Sequence, residues 1–419
     1  MKILIKKVKI IDPSSPFNGK ISDILIEKNI IKSINDSIQD DKANVISIKN
    51  LHISSGWVDL KSNFCDPGNE HKETIISGLN AAAFGGYTNV AVLPSTNPVI
   101  DGKSQIKYIQ NQAENHITSI HPIGCISKGM KGENISEMYD MFSNGVTLFS
   151  DDLSPISSGI IYRALLYSKN FGARIVVLPR NHSISSKTIV NEGIASIKTG
   201  LKGDPSISEV IAIEENIRLA EYTKGTIHFT GISTAEGVEV IRKAKKKLNN
   251  ITADVHVFNL IYNENNVLAF DSNYKVMPPL RFESDRIALW KGLEDGTINT
   301  IVSDHRPNDS EEKDIEFQQA EFGSINLQTS FGSLNLVPEF KLTTVINSLT
   351  KEAREILNLK PLTINVGEIA DLTLFNPKEK WTFKEKDILS KTKNTPLINK
   401  ELIGKVIGII NKGKLLLKE

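Results

Sequence analysis

The chain has 419 residues, 40% hydrophobic and 24% charged, which is ordinary for a globular protein with one large domain and a smaller one. Fifty basic and 49 acidic residues leave a net charge of +1, without the basic excess that a nucleic-acid or membrane-surface partner would normally require. The two cysteines, Cys65 and Cys125, lack a CxxC spacing, which disfavours a disulfide framework or thiolate zinc site and suits a reducing cytoplasm.

The N-terminal segment, from Met1 to about His52, predicts short strands. Its first twelve residues, MKILIKKVKIID, alternate like a strand and lack the long apolar region of a signal peptide. No uninterrupted apolar run in the chain approaches the ~18 residues that a membrane span needs. We therefore expect a cytoplasmic protein that begins with a β-structured segment.

From about Ile53 the pattern changes to an apolar strand, a polar loop and an amphipathic helix, and this unit repeats. Eight strands are predicted to end near Asn63, Pro94, Ile126, Asp152, Leu178, Gly231, His256 and Asp304. The clearest helices are predicted at Thr74–Phe84, Gly159–Asn170, Ser208–Tyr222 and Thr234–Leu248. Eight strands alternating with helices predict a parallel (β/α)₈ barrel.

The C-terminal part returns to a strand pattern at residues 366–375 and again at 404–417. Two readings are open for it: a β-structure completed together with the N-terminal strands, or an unrelated β appendage.

Several segments resemble the dihydroorotases of the amidohydrolase superfamily. They are Ser55 to Asp59, Asp66 to Thr74, and the run GLNAAAFGGYTNVAVLPST from Gly78 to Thr96. The resemblance covers nearly the whole chain. It implies an amidohydrolase-type barrel at residues 53–360, with a small β-sandwich formed by residues 1–52 and 361–419.

The resemblance also implies a metal centre at the C-terminal ends of the barrel strands. Four positions at which the family has histidine ligands carry other residues here, namely Lys61, Asn63, Leu178 and Gly231. Two aspartates of the family's site remain: Asp152, a metal ligand, and Asp304, which binds metal and acts as general base.

Substrate-holding positions differ as well. Where the resemblance implies an arginine, an asparagine and a second asparagine, the chain has Cys65, Ser95 and Met277. After Asp304, Arg306 replaces an alanine and Asn308 replaces a histidine. A thiol cannot supply the charge-assisted bonds of a guanidinium.

Two other histidines are weaker candidates. His182 lies in the loop four residues after Leu178 and could substitute as a ligand, although a solvated histidine is the alternative. His228 lies three residues before Gly231, on the opposite face of its strand, and is expected to be packed rather than to bind a metal.

Zinc sites usually have three or four protein ligands, with nitrogen and sulfur donors prominent, so two carboxylates beside a lysine predict no metal cofactor. We expect Lys61 to pair with Asp304, Asp152 or both and to supply the missing positive charge. The alternative is a lysine that extends to solvent.

The leading functional hypothesis is a catalytically inactive dihydroorotase homologue of pyrimidine biosynthesis that acts as a structural or regulatory partner of aspartate transcarbamoylase. The second is an active cyclic-amide hydrolase that closes N-carbamoyl-L-aspartate to dihydroorotate, with Asp304 as base in an atypical site and with zinc. A scaffolding protein resembling the dihydropyrimidinase-related family ranks last. The resemblance suggests a homo-oligomer.

Overall fold

The computed structural model describes residues 2–418. Its strands are, in chain order, β1 Lys2–Ile10, β2 Ile21–Glu27, β3 Ile30–Asn35, β4 Asn44–Ile46, β5 His52–Ser55, β6 Trp57–Ser62, β7 Tyr87–Val92, β8 Ser119–Pro122, β9 Leu148–Phe149, β10 Arg174–Val177, β11 Val190–Asn191, β12 Gly203–Asp204, β13 Thr226–Phe229, β14 Ile251–His256, β15 Thr300–Val302, β16 Leu372–Thr382, β17 Glu401–Asn411 and β18 Lys414–Leu417.

The α-helices are α1 Ile75–Gly85, α2 Lys103–Gln112, α3 Met138–Ser143, α4 Ser158–Ser168, α5 Ile194–Thr199, α6 Ile207–Thr223, α7 Ala235–Lys245, α8 Val257–Ile261, α9 Glu283–Glu294, α10 Ser310–Lys313, α11 Ser330–Leu334, α12 Leu342–Asn347 and α13 Ala353–Ile356. A π-helical turn at Ser348–Glu352 joins α12 to α13, and short 3₁₀ helices lie at Lys128–Met130, Glu264–Ala269, Ser272–Tyr274 and Glu385–Asp387.

Eight parallel strands form a closed barrel. The strands β6, β7 and β8 pair in that order, and β9, β10, β13, β14 and β15 pair in theirs. Parallel bridges from Gly124 to Phe149 and from Ser62 to His305 join the two sets into one ring. The predicted (β/α)₈ barrel is confirmed.

The barrel strands are buried on both faces, which is why their sequences read as nearly continuous apolar runs. Every residue of β6 and of β7 is buried. The following helix α1 begins at a capping box formed by Thr74 and Ser77 and ends at Gly86, whose φ of 94° needs a glycine. The local sequence thus sets where the helix after the first barrel strand begins and ends.

Both termini contribute to one eight-stranded sheet beside the barrel, as the fold prediction required. Its order is β18-β17-β16-β5-β1-β2-β3, with β4 pairing to β1. The sheet curls around its own apolar core, in which Ile3, Ile24, Leu372 and Ile410 are buried. The strand β5 belongs to this sheet, since it pairs with β16 and β1. It ends at Ser55, and the first barrel strand begins at Trp57, so the chain passes from the sheet into the barrel between these two residues.

Six of the eight strand ends fall within two residues of the predicted positions, and two differ more. The strand β9 ends at Phe149, three residues before the predicted Asp152. The strand β8 ends at Pro122, four residues before the predicted Ile126. Beyond Pro122, the N–H groups of Ile123 and Gly124 still donate to Val92 O and Leu148 O. Those of Ile126 and Ser127 donate to the Asp151 carboxylate instead, so the ladder does not reach Ile126. Among residues 2–418, the helices are all too short or too polar to cross a lipid bilayer.

Candidate functional site at the barrel mouth

The residues singled out by the sequence converge at the C-terminal end of the barrel. Lys61 lies in β6 and His256 ends β14, while Asp152 follows β9 and both Asp304 and Arg306 follow β15. All five side chains are buried. The carboxyl ends of parallel strands meet at one end of such a barrel, so chain order alone places them together.

Arg306 joins the two aspartates. Its Nη1 and Nη2 donate to the two oxygens of Asp152 at 3.0 and 2.5 Å, and its Nε donates to Asp304 Oδ1 at 2.9 Å. Ser95 Oγ adds a hydrogen bond to Asp152 Oδ2 at 2.8 Å. The flat guanidinium therefore holds both carboxylates at once, in the bidentate geometry that arginine favours.

The prediction that Lys61 supplies the missing charge is only partly right. Lys61 Nζ lies 3.8 Å from Asp304 Oδ1, and it donates to Thr230 Oγ1 and His256 Nε2 at 3.2 Å each. Asp152 is paired with Arg306 rather than with Lys61. The principal counter-cation is Arg306, because its side chain reaches both carboxylates, whereas Lys61 approaches one and is bonded mainly to neutral groups.

The charges in this cluster balance. Burial by itself would raise the pKa of Asp152 and Asp304, but Arg306 and Lys61 outweigh burial and hold both well below the ordinary range. Burial lowers the pKa of His256 to about 4, so its imidazole is neutral near pH 7 and its Nε2 accepts from Lys61. Two cations thus face two carboxylates, with a neutral histidine between them.

Gly231, where the resemblance implied a histidine, is required by its neighbours. A Cβ atom there would lie 2.7 Å from His256 Nε2 and 3.0 Å from Pro278 Cδ, and the glycine φ is +72°. The His256 imidazole has taken up the space that a side chain at position 231 would need. The change is a repacking and not only a loss.

Arg306 is itself held in place by two distant segments. Its backbone N–H donates to Ser324 O at 2.9 Å, and its carbonyl accepts from Asn394 Nδ2 at 2.9 Å. A Cβ at Gly323 would lie 2.3 Å from Arg306 Cβ, so only glycine allows this approach. The loop after β15 and the C-terminal tail together orient the guanidinium.

The remaining positions named by the sequence lie around this cluster with other partners. Asn63 Nδ2 contacts Ser95 Oγ at 3.4 Å, and its Oδ1 accepts from the Cys65 backbone at 2.8 Å. Burial raises the pKa of the Cys65 thiol to about 12, so this thiol stays protonated at neutral pH. Met277 is buried, and Leu178 is half-buried at the edge of a neighbouring cavity.

The two weaker histidine candidates lie away from the cluster's hydrogen bonds. His228 is buried and contacts Thr252 Oγ1 and Asp254 Oδ2 at 2.9 and 2.8 Å. His182 is half-buried in the wall of the same cavity as Leu178. Asn308 binds the loop carbonyl of Phe322 at 3.0 Å.

The donor set does not fit a metal centre. Among residues 2–418, no three histidine, cysteine, aspartate or glutamate side chains are grouped so that they could hold a metal ion. The two retained carboxylates already bind a guanidinium, and an ammonium lies beside one of them. A divalent cation would have to displace the guanidinium and accept two like charges as neighbours.

Sequence reasoning missed the roles of Arg306 and His256, although both carried a signal. A cation replaced a small residue two positions after a retained aspartate, and a histidine ended a barrel strand at the site's own end. The carboxylate of Asp152 needs a nearby cation to balance its charge, and Arg306 could supply one as well as Lys61.

Comparison with known proteins places the chain among dihydroorotases. A family model described as Dihydro-orotase-like matches residues 51–237. The chain is 37% identical to the dihydroorotase of Syntrophotalea carbinolica, covering 99% of both chains. It is 37% identical to that of Thermoanaerobacter sp. strain X514, covering 100% of this chain and 98% of the other.

Solved structures support the fold. L-hydantoinase from Arthrobacter aurescens superposes with a TM-score of 0.87 at 19% identity, covering 99% of this chain and 96% of the other. Dihydropyrimidinase from Brevibacillus agri gives a TM-score of 0.85 at 19% identity, covering 100% and 95%. At this identity the likeness is one of architecture.

Replacing Arg306 with methionine leaves Asp152 and Asp304 buried without their shared partner. We expect the free energy of unfolding to fall by about 3–5 kcal/mol at pH 7, the usual cost of breaking a buried ion pair from one side. In the variant, both carboxyl pKa values should rise above the unfolded value of ~3.9, so the loss should shrink as the pH falls. Urea unfolding of both proteins at pH 7 and about pH 4.5 measures this.

The wild-type sign is opposite and provides a check. Its depressed carboxyl pKa values stabilise the fold above pH ~3.9, and that contribution is lost as the pH falls through the folded values. The control is a triple variant, Asp152→Asn, Asp304→Asn and Arg306→Met, which removes every charge of the bridge and should recover much of the loss. A pH-independent loss in the single variant would contradict the bridge.

Gly231→Ala tests whether His256 blocks position 231. Gly172 has nearly the same φ, +74°, but nothing within 4 Å of its Cβ position, so Gly172→Ala measures the backbone cost alone. We expect Gly231→Ala to cost about 1–3 kcal/mol more than Gly172→Ala, the usual range for overpacking. Thermal unfolding of both variants gives the difference. Adding His256→Ala should remove most of the excess in a double-mutant cycle, and an unchanged excess would place the clash elsewhere.

Proposed function

The chain belongs to the dihydroorotase family, and from this premise we propose that it is a catalytically inactive member that serves as a structural or regulatory partner of aspartate transcarbamoylase in pyrimidine biosynthesis. The observation that carries the inactivity is the Arg306 bridge between the two retained aspartates. Fold does not fix function, so an enzyme scaffold can take an assembly role.

Asp304 is the natural base for a cyclic-amide hydrolase, and two features weaken it for that task. Its pKa lies far below the ordinary value, because burial is outweighed by Arg306 and Lys61, so it binds a proton poorly. Both of its oxygens also face groups of the protein: Oδ1 accepts from Arg306, and Oδ2 lies 3.3 Å from His256 Nδ1.

A partner needs a surface, and adjacent helices of the barrel exterior offer one. We name as the α4–α6 face the exposed apolar residues of α4 and α6, two helices that pack against each other: Leu166, Tyr167, Ile207, Ile211 and Tyr222. Tyr222 is 76% exposed. Exposed apolar patches of this kind commonly mark interaction sites, so the α4–α6 face supports either the partner or a homo-oligomer.

The second candidate is an active dihydroorotase with an atypical site. Whole-length similarity to proteins named dihydroorotase favours it, and Asp304 would act as the base in ring closure of N-carbamoyl-L-aspartate. That reading requires Arg306 to release Asp304 during turnover, which would break a charge-assisted hydrogen bond in a buried site.

Ring closure of N-carbamoyl-L-aspartate to dihydroorotate separates the two candidates. We expect no rate above buffer, with or without added Zn²⁺ or Mn²⁺, because Arg306 occupies the carboxylates. The dihydroorotase of Syntrophotalea carbinolica, assayed in parallel, is the positive control. Turnover that Asp304→Asn abolishes would establish the active reading and overturn the proposal.

The partner is tested by copurification from the native cell with aspartate transcarbamoylase. We expect the two proteins to elute together, and we expect Tyr222→Glu to weaken the association because it places a charge in the α4–α6 face. Val366→Glu changes a residue that is 51% exposed outside that face and serves as the control. Separate elution, with transcarbamoylase activity unchanged when this protein is removed, would exclude the partnership.

A further inference from the structure

A groove of about 620 Å³ lies between the helices α6 and α7, on the outside of the barrel. Its floor is apolar and half-buried, and it consists of Ile217 from α6, Val240 and Ala244 from α7, and Leu248 just after α7. These side chains pack against the barrel core on one side and face the groove on the other. The groove therefore presents an apolar stripe that a partner can remove from water.

The two walls of the groove carry opposite charges. Glu214 and Glu221 lie on the α6 side, two helical turns apart and so on one face of that helix. Lys243, Lys246 and Lys247 lie on the α7 side, in and just after the last turn of the helix. All five side chains belong to exposed residues, so a partner can reach them.

These charges do not neutralise one another. Among the ion pairs of residues 2–418, none joins the two walls, and Lys243 has only a 3.8 Å contact to Glu239 of its own helix. Arg218 lies between the two glutamates of the α6 wall. With it, the groove has four basic and two acidic residues, a net charge of +2, whereas the whole chain carries +1. The groove thus concentrates positive charge beside an apolar floor.

Shape and charge together favour one kind of occupant. Two helices that pack side by side accept a third helix in the groove between them, and the small side chain of Ala244 lets its backbone approach closely. A flat anionic membrane would meet Glu214 and Glu221 before it reached the recessed floor. A nucleic acid has no apolar stripe to cover that floor. A partner helix can place acidic side chains against the lysines and keep them away from the glutamates.

We propose that this groove, the α6–α7 groove, binds an amphipathic helix of a partner protein. The apolar stripe of that helix covers the groove floor, and its acidic flank lies against Lys243, Lys246 and Lys247. The groove is on the barrel exterior, so binding requires no change in the Arg306 bridge. The proposal holds whether or not the chain is an active hydrolase, and it does not rest on an association with aspartate transcarbamoylase.

Fluorescence anisotropy with two designed helical peptides of about 18 residues tests the proposal. Both peptides carry leucines at i, i+3, i+4 and i+7 spacing, and one flank carries glutamates in the first peptide and lysines in the second. We expect the acidic peptide to bind at least about tenfold more tightly at about 50 mM salt, and we expect added salt to reduce the difference by screening. Equal affinities, or no binding of either peptide below about 1 mM, would overturn the proposal.

Two matched pairs of substitutions locate the site. Lys243→Glu with Lys247→Glu reverses charges on the α7 wall, so the basic peptide should become the tighter ligand. Lys103→Glu with Lys107→Glu makes the same change at the same spacing on α2, where both lysines are also exposed, and should leave both affinities unchanged. All four positions are exposed, so the variants should fold. An equal effect of the two pairs would place the peptide elsewhere and overturn the assignment.

Ala244→Arg separates a groove from a purely electrostatic surface. The arginine adds positive charge but fills the floor, so it should weaken the acidic peptide at least about fivefold. Tighter binding of the acidic peptide to this variant would contradict the groove. Binding of the protein to phosphatidylserine vesicles that the Lys243→Glu, Lys247→Glu pair abolishes would assign the surface to lipid and overturn the proposal.

Discussion

Two buried carboxylates at one barrel mouth demand a positive partner, and the rest of the site is arranged around how that demand is met. Asp152 follows β9 and Asp304 follows β15, and Arg306 spans the gap between them with three hydrogen bonds. Buried ion pairs add little net stability compared with an apolar core, but removing one member leaves an uncompensated charge. The three residues therefore depend on one another, because replacing any one of them leaves the buried charges of the other two unbalanced.

That dependence extends to residues that make no ion pair. Gly231 leaves room for His256, whose Nε2 accepts from Lys61, and Gly323 leaves room for the Cβ of Arg306. Ser95 donates to Asp152, and Asn394 fixes the backbone carbonyl of Arg306. These residues thus form one packed unit, in which glycines make room for an imidazole and for the cation.

The sequence alone predicted the architecture because barrel strands are buried on both faces and read as apolar runs separated by amphipathic helices. Strand ends could be placed closely where a polar loop follows at once. The end of β8 could not, because whether the strand reaches Ile126 depends on the distant Asp151 carboxylate, which accepts from the backbone N–H groups of Ile126 and Ser127. The role of Arg306 could not be predicted from the sequence for a similar reason. An arginine four residues beyond a strand end can equally point to solvent, and its direction is set by Gly323 and Asn394, which are distant in the chain. The local sequence pattern therefore predicts the barrel, whereas tertiary contacts determine which cation pairs with the carboxylates at its mouth.

Whole-length identity of 37% to dihydroorotases does not fix the chemistry of the mouth, because metal chemistry depends on a few side chains. The repacking also makes a return to metal binding improbable by single steps. A histidine at position 231 would meet the His256 imidazole, since even a Cβ there lies 2.7 Å from Nε2. A histidine at position 61 would remove the ammonium group that now donates hydrogen bonds to His256 and Thr230. Arg306 would still bind both carboxylates. A histidine at either position is unfavourable while the Arg306 guanidinium binds the two carboxylates. The guanidinium cannot leave the carboxylates favourably until another cation is bound there. The site is therefore a stable alternative to a metal centre on the same barrel, which is what an assembly role, free of any need for catalysis, would permit.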